Sequence, residues 1–156
     1  MAINPAWFSF GGTAAIVTSM GLILGLEAAA ATRPAMVSAL LIVALADNLS
    51  DSLSVHIYQE AENLEAREAF RSTLANFAVR LLVALSFVAL ALFAPTPWLA
   101  AGAIGWGLAL LSVLTWRIAR ARRRPVGREI AKHIAIAVVV LAVSRALGLW
   151  ISAYVA

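Results

Sequence analysis

Residues 44–65 read ALADNLSDSLSVHIYQEAENLE, and they begin inside an apolar run that starts at residue 35. Asp47, Asn48, Ser50, Asp51, Ser52 and Ser54 follow that run with no Pro or Gly to end a helix. A continuous helix therefore carries carboxylates to a depth where a bilayer makes them costly, which marks them as functional rather than decorative. At about 100° per residue, Asp47, Asp51, Ser54 and Tyr58 share one edge of the helix, and Glu65 returns to it. Asn48, Ser52 and His56 form a second line at helical spacing that turns away from the first. Such a helix either lines a path or is buried against partners on two sides.

The rest of the chain sets this helix in a membrane. Of 156 residues, 63% are hydrophobic and only 13% charged, and the mean hydropathy is +0.91. Apolar runs near the length needed to cross about 30 Å of hydrocarbon give an all-α integral membrane bundle. Five transmembrane helices are expected at about 12–31, 35–60, 73–94, 97–117 and 129–154, with Pro95 and Pro97 turning the chain between the third and fourth. The length leaves room for one transmembrane domain, residues 1–156, and none for a separate soluble domain. With no cysteine, neither disulfides nor thiolate metal chemistry are available. The opening MAINPAWFSFGG lacks the basic segment and cleavage site of a signal peptide, and Trp7, Phe8 and Phe10 read as an interfacial anchor.

Charge orients the bundle. Arg117, Arg120, Arg122, Arg123, Arg124, Arg128 and Lys132 crowd the connection between the fourth and fifth spans, whereas APTPW at the other end of the fourth has no charge. The basic connection is expected in the cytoplasm, which puts the N-terminus inside, Arg33 and Pro34 outside, residues 60–71 inside and the C-terminus outside. A sequence pI near 10.7 invites a nucleic-acid partner. Positive-inside topology and contact with lipid headgroups explain the whole run without one, so the expected partner is the bilayer, of a plasma or inner membrane.

The first span carries a seam of small residues, Ala14, Thr18, Gly21, Gly25 and Ala29, of the kind that lets helix backbones approach. Thr13, Met20 and Glu27 recur every seven residues beside it. Met20 is either packing or a thioether ligand, and Glu27 is either solvated at the outer interface or the outer mouth of a path. His56 lies about 180° from Asp47 on the wheel, which makes it an interface residue. His133 beside Lys132 snorkels at the headgroups, and Arg145, within the fifth span, needs a partner, for which Glu27 is the candidate.

The chemistry of the ladder suits a cation. Carboxylate, hydroxyl and amide oxygens hold Mg²⁺, Mn²⁺ or Fe²⁺, and a nearby His and Met tilt the choice toward Fe²⁺, Mn²⁺ or Zn²⁺. Asp47 and Asp51 in one chain are too few ligands for a complete shell, so two copies across a two-fold axis are expected. Glu60, Glu62, Glu65 and Glu68 stand at the cytoplasmic mouth, and a spacing of three along a helix would bring the last three side by side. They either capture cations or solvate a helix extension that offsets Arg67 and Arg71. The chain has no Gly-rich phosphate loop, no nucleophile elbow and no Cys/His cluster, so it is not read as an enzyme.

At this point three segments resemble the vacuolar iron transporter family. Ile16-Val17-Thr18-Ser19-Met20-Gly21-Leu22-Ile23-Leu24-Gly25-Leu26 is similar to that family's first span, D-G-I-V-x-x-x-G-L-x-x-G-L. Asp51-Ser52-Leu53-Ser54-Val55-His56-Ile57-Tyr58-Gln59-Glu60 is similar to its E-Y-x-S-V-x-x-Q-x-E, and Ser144-Arg145-Ala146-Leu147-Gly148 resembles its last helix. The resemblance implies a five-helix homodimer that moves Fe²⁺ or a similar ion out of the cytoplasm, by proton antiport, along a path lined by the first and second helices at the dimer interface. It puts Asp51 at the family's membrane Glu, Glu60 at the Glu of Q-x-E, and Asp47 at a path-lining methionine. The family's first-helix aspartate falls on Ala14, and its Glu-rich cytoplasmic domain between the second and third helices is missing. The expected function is thus a divalent-cation transporter for Fe²⁺ or Mn²⁺ with no permanent cofactor. Its ligands are drawn from Asp47, Asp51, Glu60, Glu62, Glu65 and Met20, and its path or structural polar groups from Asn48, Ser54, Tyr58, Glu27 and Arg145. The alternative is a non-transporting sensor or assembly scaffold on the same fold.

Overall fold

A computed structural model describes residues 6–62 and 65–155, with side chains from Gly11 onward, so the anchor expected at Trp7, Phe8 and Phe10 lies outside the described side chains. The described chain is helical throughout, with no strand. Five of its helical stretches are long and apolar enough to cross a membrane, as a multi-pass membrane protein requires. They are α1 (Ala6–Ala28), a composite of α2 (Arg33–Ile42) and α3 (Asn48–Ala61), then α4 (Ala66–Phe93), α5 (Leu99–Ala121) and α6 (Val126–Tyr154).

The ends of these elements follow from local chemistry. Thr32 accepts a hydrogen bond from the Ala35 amide at 3.4 Å, and Pro34 sits in the first turn of α2, where its missing N–H costs nothing. Arg33 reaches across to the far end of α4, donating to the Leu92 and Ala94 carbonyls at 2.9 and 2.8 Å and to Thr96 Oγ1 at 3.0 Å. A guanidinium there satisfies carbonyls that the helix leaves unpaired and meets the negative end of its dipole. The start of the second span is thereby tied to the end of the third.

α1 is the hub, packed against α4, α5 and α6. Its Ile16, Met20 and Ile23 are fully buried and join Leu40, Phe87 and Leu111 in one apolar core. The small-residue seam is used inside the chain: Gly21 and Gly25 lie against Ser144 of α6, and Gly148 lies against the Gly25 carbonyl and Ala28. A Cβ at Gly148 would collide with backbone that cannot swing aside, so two helix axes meet there only because both sides are small.

The observed elements depart from the expected ones at informative places. α4 starts at Ala66, about two turns before the apolar run expected from residue 73, because Ala69, Ser72 and Asn76 are buried against the second span and extend the packed length. α3 ends at Ala61, Glu62 caps it, and Glu65 immediately precedes α4. Glu62 and Glu65 thus lie outside both helices and Glu68 inside α4, so the three do not form the single helical row that their spacing allowed. The second span is also interrupted by a π turn, Val43–Asp47, which no Pro or Gly signals.

The turn after α1 is closed by bonds from the Ala30 and Ala31 amides to the Glu27 and Leu26 carbonyls, with Ala30 at φ 56°. A left-handed alanine costs about 1–2 kcal/mol that glycine avoids. Ala30→Gly is therefore expected to raise stability by about 0.5–1 kcal/mol after the entropy of the extra glycine is counted. The check is the unfolding midpoint of purified protein in detergent, and an unchanged or lowered midpoint would count against the strained turn.

Candidate functional site

Two antiparallel helices, α3 and α4, build the site through matched rows of polar residues. On α4, Ser72, Asn76 and Arg80 recur every four residues and all are buried. On α3, Asn48 and Ser52 are buried opposite them. Asn48 donates to the Phe77 carbonyl at 3.0 Å, Ser72 donates to Gln59 Oε1 at 2.7 Å, and His56 Nδ1 lies 3.4 Å from Thr73 Oγ1. The second line of the sequence, Asn48–Ser52–His56, is thus the seam between the second and third spans. His56 belongs to that seam and also faces Glu60 at 3.4 Å.

At the top of the seam Arg80 holds both aspartates. Its Nη2 donates to Asp47 Oδ2 at 2.6 Å and its Nη1 to Asp51 Oδ2 at 2.9 Å, short charge-assisted bonds from one planar fork. Asp47 stands midway along Arg33–Ala61, fourteen residues from each end, and Arg80 lies fourteen residues into Ala66–Phe93. The triad is therefore well inside both spans, where an unpaired charge costs several kcal/mol and pairing is the rule. Arg80's side chain is 6% exposed, those of Asp51 and Asp47 26% and 54%, so the guanidinium is covered while the carboxylates open onto the outer face of the bundle.

Local backbone makes room for this arrangement. The π turn ends at Asp47 and widens the helix by one residue immediately before the two acids, as such turns do at functional positions. On the other side, Gly11 of α1 lies against Asn76 and the stem of Arg80, where a Cβ would overlap the Asn76 amide oxygen. Behind the triad a crevice of about 10 Å³, the room of a single water, is bordered by Ala15, Thr18 and Ser19 of α1 and by Asp47, Asn48 and Arg80. Among the described residues Asn48 Oδ1, Ser52 Oγ, Asn76 Nδ2 and Arg80 Nε are buried without a hydrogen-bond partner. All four belong to residues of the α3–α4 seam, and Asn48 and Arg80 also border the crevice.

The remaining expected site residues fall in three places. Ser54 and Tyr58 share the exposed edge with Asp47, Ser54 donating back to the Ser50 carbonyl at 3.0 Å and Tyr58 being 66% exposed. Glu60, Glu62 and Glu65 are exposed near the end of α3 and the start of α4. Met20 is in the apolar core, its thioether filling the space left by Gly107 of α5, and it does not border the crevice at Asp47. Glu27 and Arg145 form no ion pair with each other. The α6 positions that face α1 include Val140, Ser144 and Gly148, and Arg145, one step round the helix from Ser144, is exposed on the outside. His133, half-buried, lies 3.3 Å from Thr115 Oγ1 rather than standing free at the headgroups.

Arg80 is the residue that the sequence reading missed, and two signals pointed to it. Ser72, Asn76 and Arg80 repeat at spacing four through an otherwise apolar span, and two aspartates at mid-span require a counter-charge within reach. No three of the described His, Asp and Glu side chains come together as a metal-holding group. Compared with known proteins, the chain matches no family model, no curated protein and no solved structure.

Proposed function

We propose that the chain is a membrane transporter of a divalent cation, Fe²⁺ or Mn²⁺, whose site is made of two copies of the Asp47–Arg80–Asp51 triad facing one another in a homodimer. The observation that carries this is the charge and aspect of the triad: two carboxylates share one guanidinium, and they open outward while the guanidinium does not. One net negative charge per chain becomes two in a dimer, the charge that a divalent ion neutralises. The Asp47 side chain is itself 54% exposed on a helix whose Leu45, Leu49, Leu53 and Ile57 are also exposed, and burying this helix against a second copy would remove the carboxylate from lipid. Oxygen donors from both chains, including Asp47, Asp51 and Ser54, then supply the ligand number that one chain lacks.

Arg80 acts in this scheme as a resident counter-ion. Without cargo it offsets one of the two carboxylate charges in the low-dielectric span; an arriving cation competes with it for the same oxygens, and protonation of those oxygens releases the cation again. The Arg-rich turn between α5 and α6 orients the protein with its N-terminus in the cytoplasm. On that orientation the exposed Glu60, Glu62, Glu65 and Glu68 gather cations at the cytoplasmic mouth, and cargo leaves the cytoplasm in exchange for protons. The resemblance of the first, second and fifth spans to the vacuolar iron transporter family supports the same scheme.

A second reading, a non-transporting scaffold or sensor, is favoured by one observation: Arg80 satisfies both acids within a single chain. Uptake of Fe²⁺, Mn²⁺, Zn²⁺ and Mg²⁺ into proteoliposomes, with and without a pH gradient, separates the two. Transport is expected for Fe²⁺ or Mn²⁺, and no uptake of any of the four would leave the scaffold.

A further inference from the structure

The end of the bundle that carries the Arg-rich turn holds a cavity of about 680 Å³ between α1, α5 and α6. Its mouth is cationic. Arg122 and Arg124 are held there by a tight turn in which the Arg122 and Arg124 amides donate to the Ile118 and Ala119 carbonyls at 2.9 Å each, with Arg123 at φ 53° between them. Glu129, the acid in the lining, is only 17% exposed and is already matched by Arg124 at 3.8 Å and Lys132 at 3.6 Å, which leaves Arg122 in surplus. Farther in, the Thr115–His133 contact gives way to the apolar walls of Ala14, Val17 and Ile136. Ile136 is ten residues beyond the start of α6, a depth of about 15 Å.

A soluble anion would use only the charged mouth. A cavity that is basic where the helices leave the membrane and apolar for a further stretch inward has the polarity profile of a phospholipid entering head outward. We propose that this cavity binds an anionic glycerophospholipid, its phosphate at Arg122 and Arg124 and one acyl chain lying along Val17 and Ile136. The site is separate from the aspartate triad on the second and third spans.

The alternative is undirected attraction between acidic lipid and the whole basic turn, and the test removes equal charge inside and outside the cavity. Phosphatidylglycerol and phosphatidylcholine are titrated into the purified full-length protein in neutral detergent, with binding read as retained lipid by native mass spectrometry. Wild type is expected to hold phosphatidylglycerol at least ten-fold more tightly than phosphatidylcholine. Arg122→Gln with Arg124→Gln should lose about ten-fold of that affinity, while Arg117→Gln with Arg128→Gln, both exposed and outside the cavity, should stay within two-fold. Ile136→Trp, which keeps every charge and fills the apolar depth, should also lose it. Equal losses in the two double variants, undiminished binding in Ile136→Trp, or displacement of the lipid by millimolar inorganic phosphate would each overturn the site.

Discussion

Arg80→Met is expected to cost the purified protein about 3–5 kcal/mol, the usual penalty for removing one partner of a buried ion pair. Both remaining carboxylates would then stand inside a span without a counter-charge, while methionine keeps the Cγ that Gly11 packs on, so the loss reports the charge and not the stem. The informative comparison is the neutral triple variant, Asp47→Asn with Asp51→Asn and Arg80→Met. Buried ion pairs are often replaceable as a set even when they cannot be broken singly, so the triple is expected within about 1 kcal/mol of wild type. Intrinsic tryptophan fluorescence during denaturation reports both values. A single variant as stable as wild type, or a triple as unstable as the single, would mean that the bonds between Arg80 and the aspartates do not hold the second and third spans together.

That folded triple is also the instrument for function. It keeps the seam of Asn48, Ser52, Ser72 and Asn76 and removes only the charges, so a loss of transport in it is not a loss of fold. Mn²⁺ uptake by the triple is expected to fall by at least about 100-fold. Two lost charge-assisted interactions at about 1.5 kcal/mol each give a factor of that order. Uptake at the wild-type rate would remove the triad from the path and leave it as a structural clasp. A Glu60→Gln and Glu62→Gln variant should reduce uptake only a few-fold and chiefly at low ion concentration, because exposed acids steer cations without binding them tightly.

The second span was legible because its chemistry is written at helical spacing. Asp47, Asp51, Ser54 and Tyr58 do share an edge, and Asn48, Ser52 and His56 do turn toward a neighbour. The sequence did not say that the neighbour is α4, since Ser72, Asn76 and Arg80 are diluted by apolar residues on the other faces of a long span. A hydropathy window averages over exactly those faces, so one arginine in it goes unnoticed. Spacing also could not show that Met20 meets Gly107 of α5, far along the chain, or that Ser144 rather than Arg145 faces α1. Those are matters of helix rotation, fixed by packing between distant segments. The π turn at Val43–Asp47 and the left-handed Ala30 carry no Gly or Pro of their own to signal them.

Equilibrium binding of Mn²⁺ to the purified protein, measured by calorimetry beside the oligomeric mass of the same sample, tests the two-triad site most directly. One ion per two chains is expected for wild type and none for the folded triple variant. One ion per single chain, or binding that survives in the triple, would contradict a cation site built from paired Asp47–Arg80–Asp51 clusters.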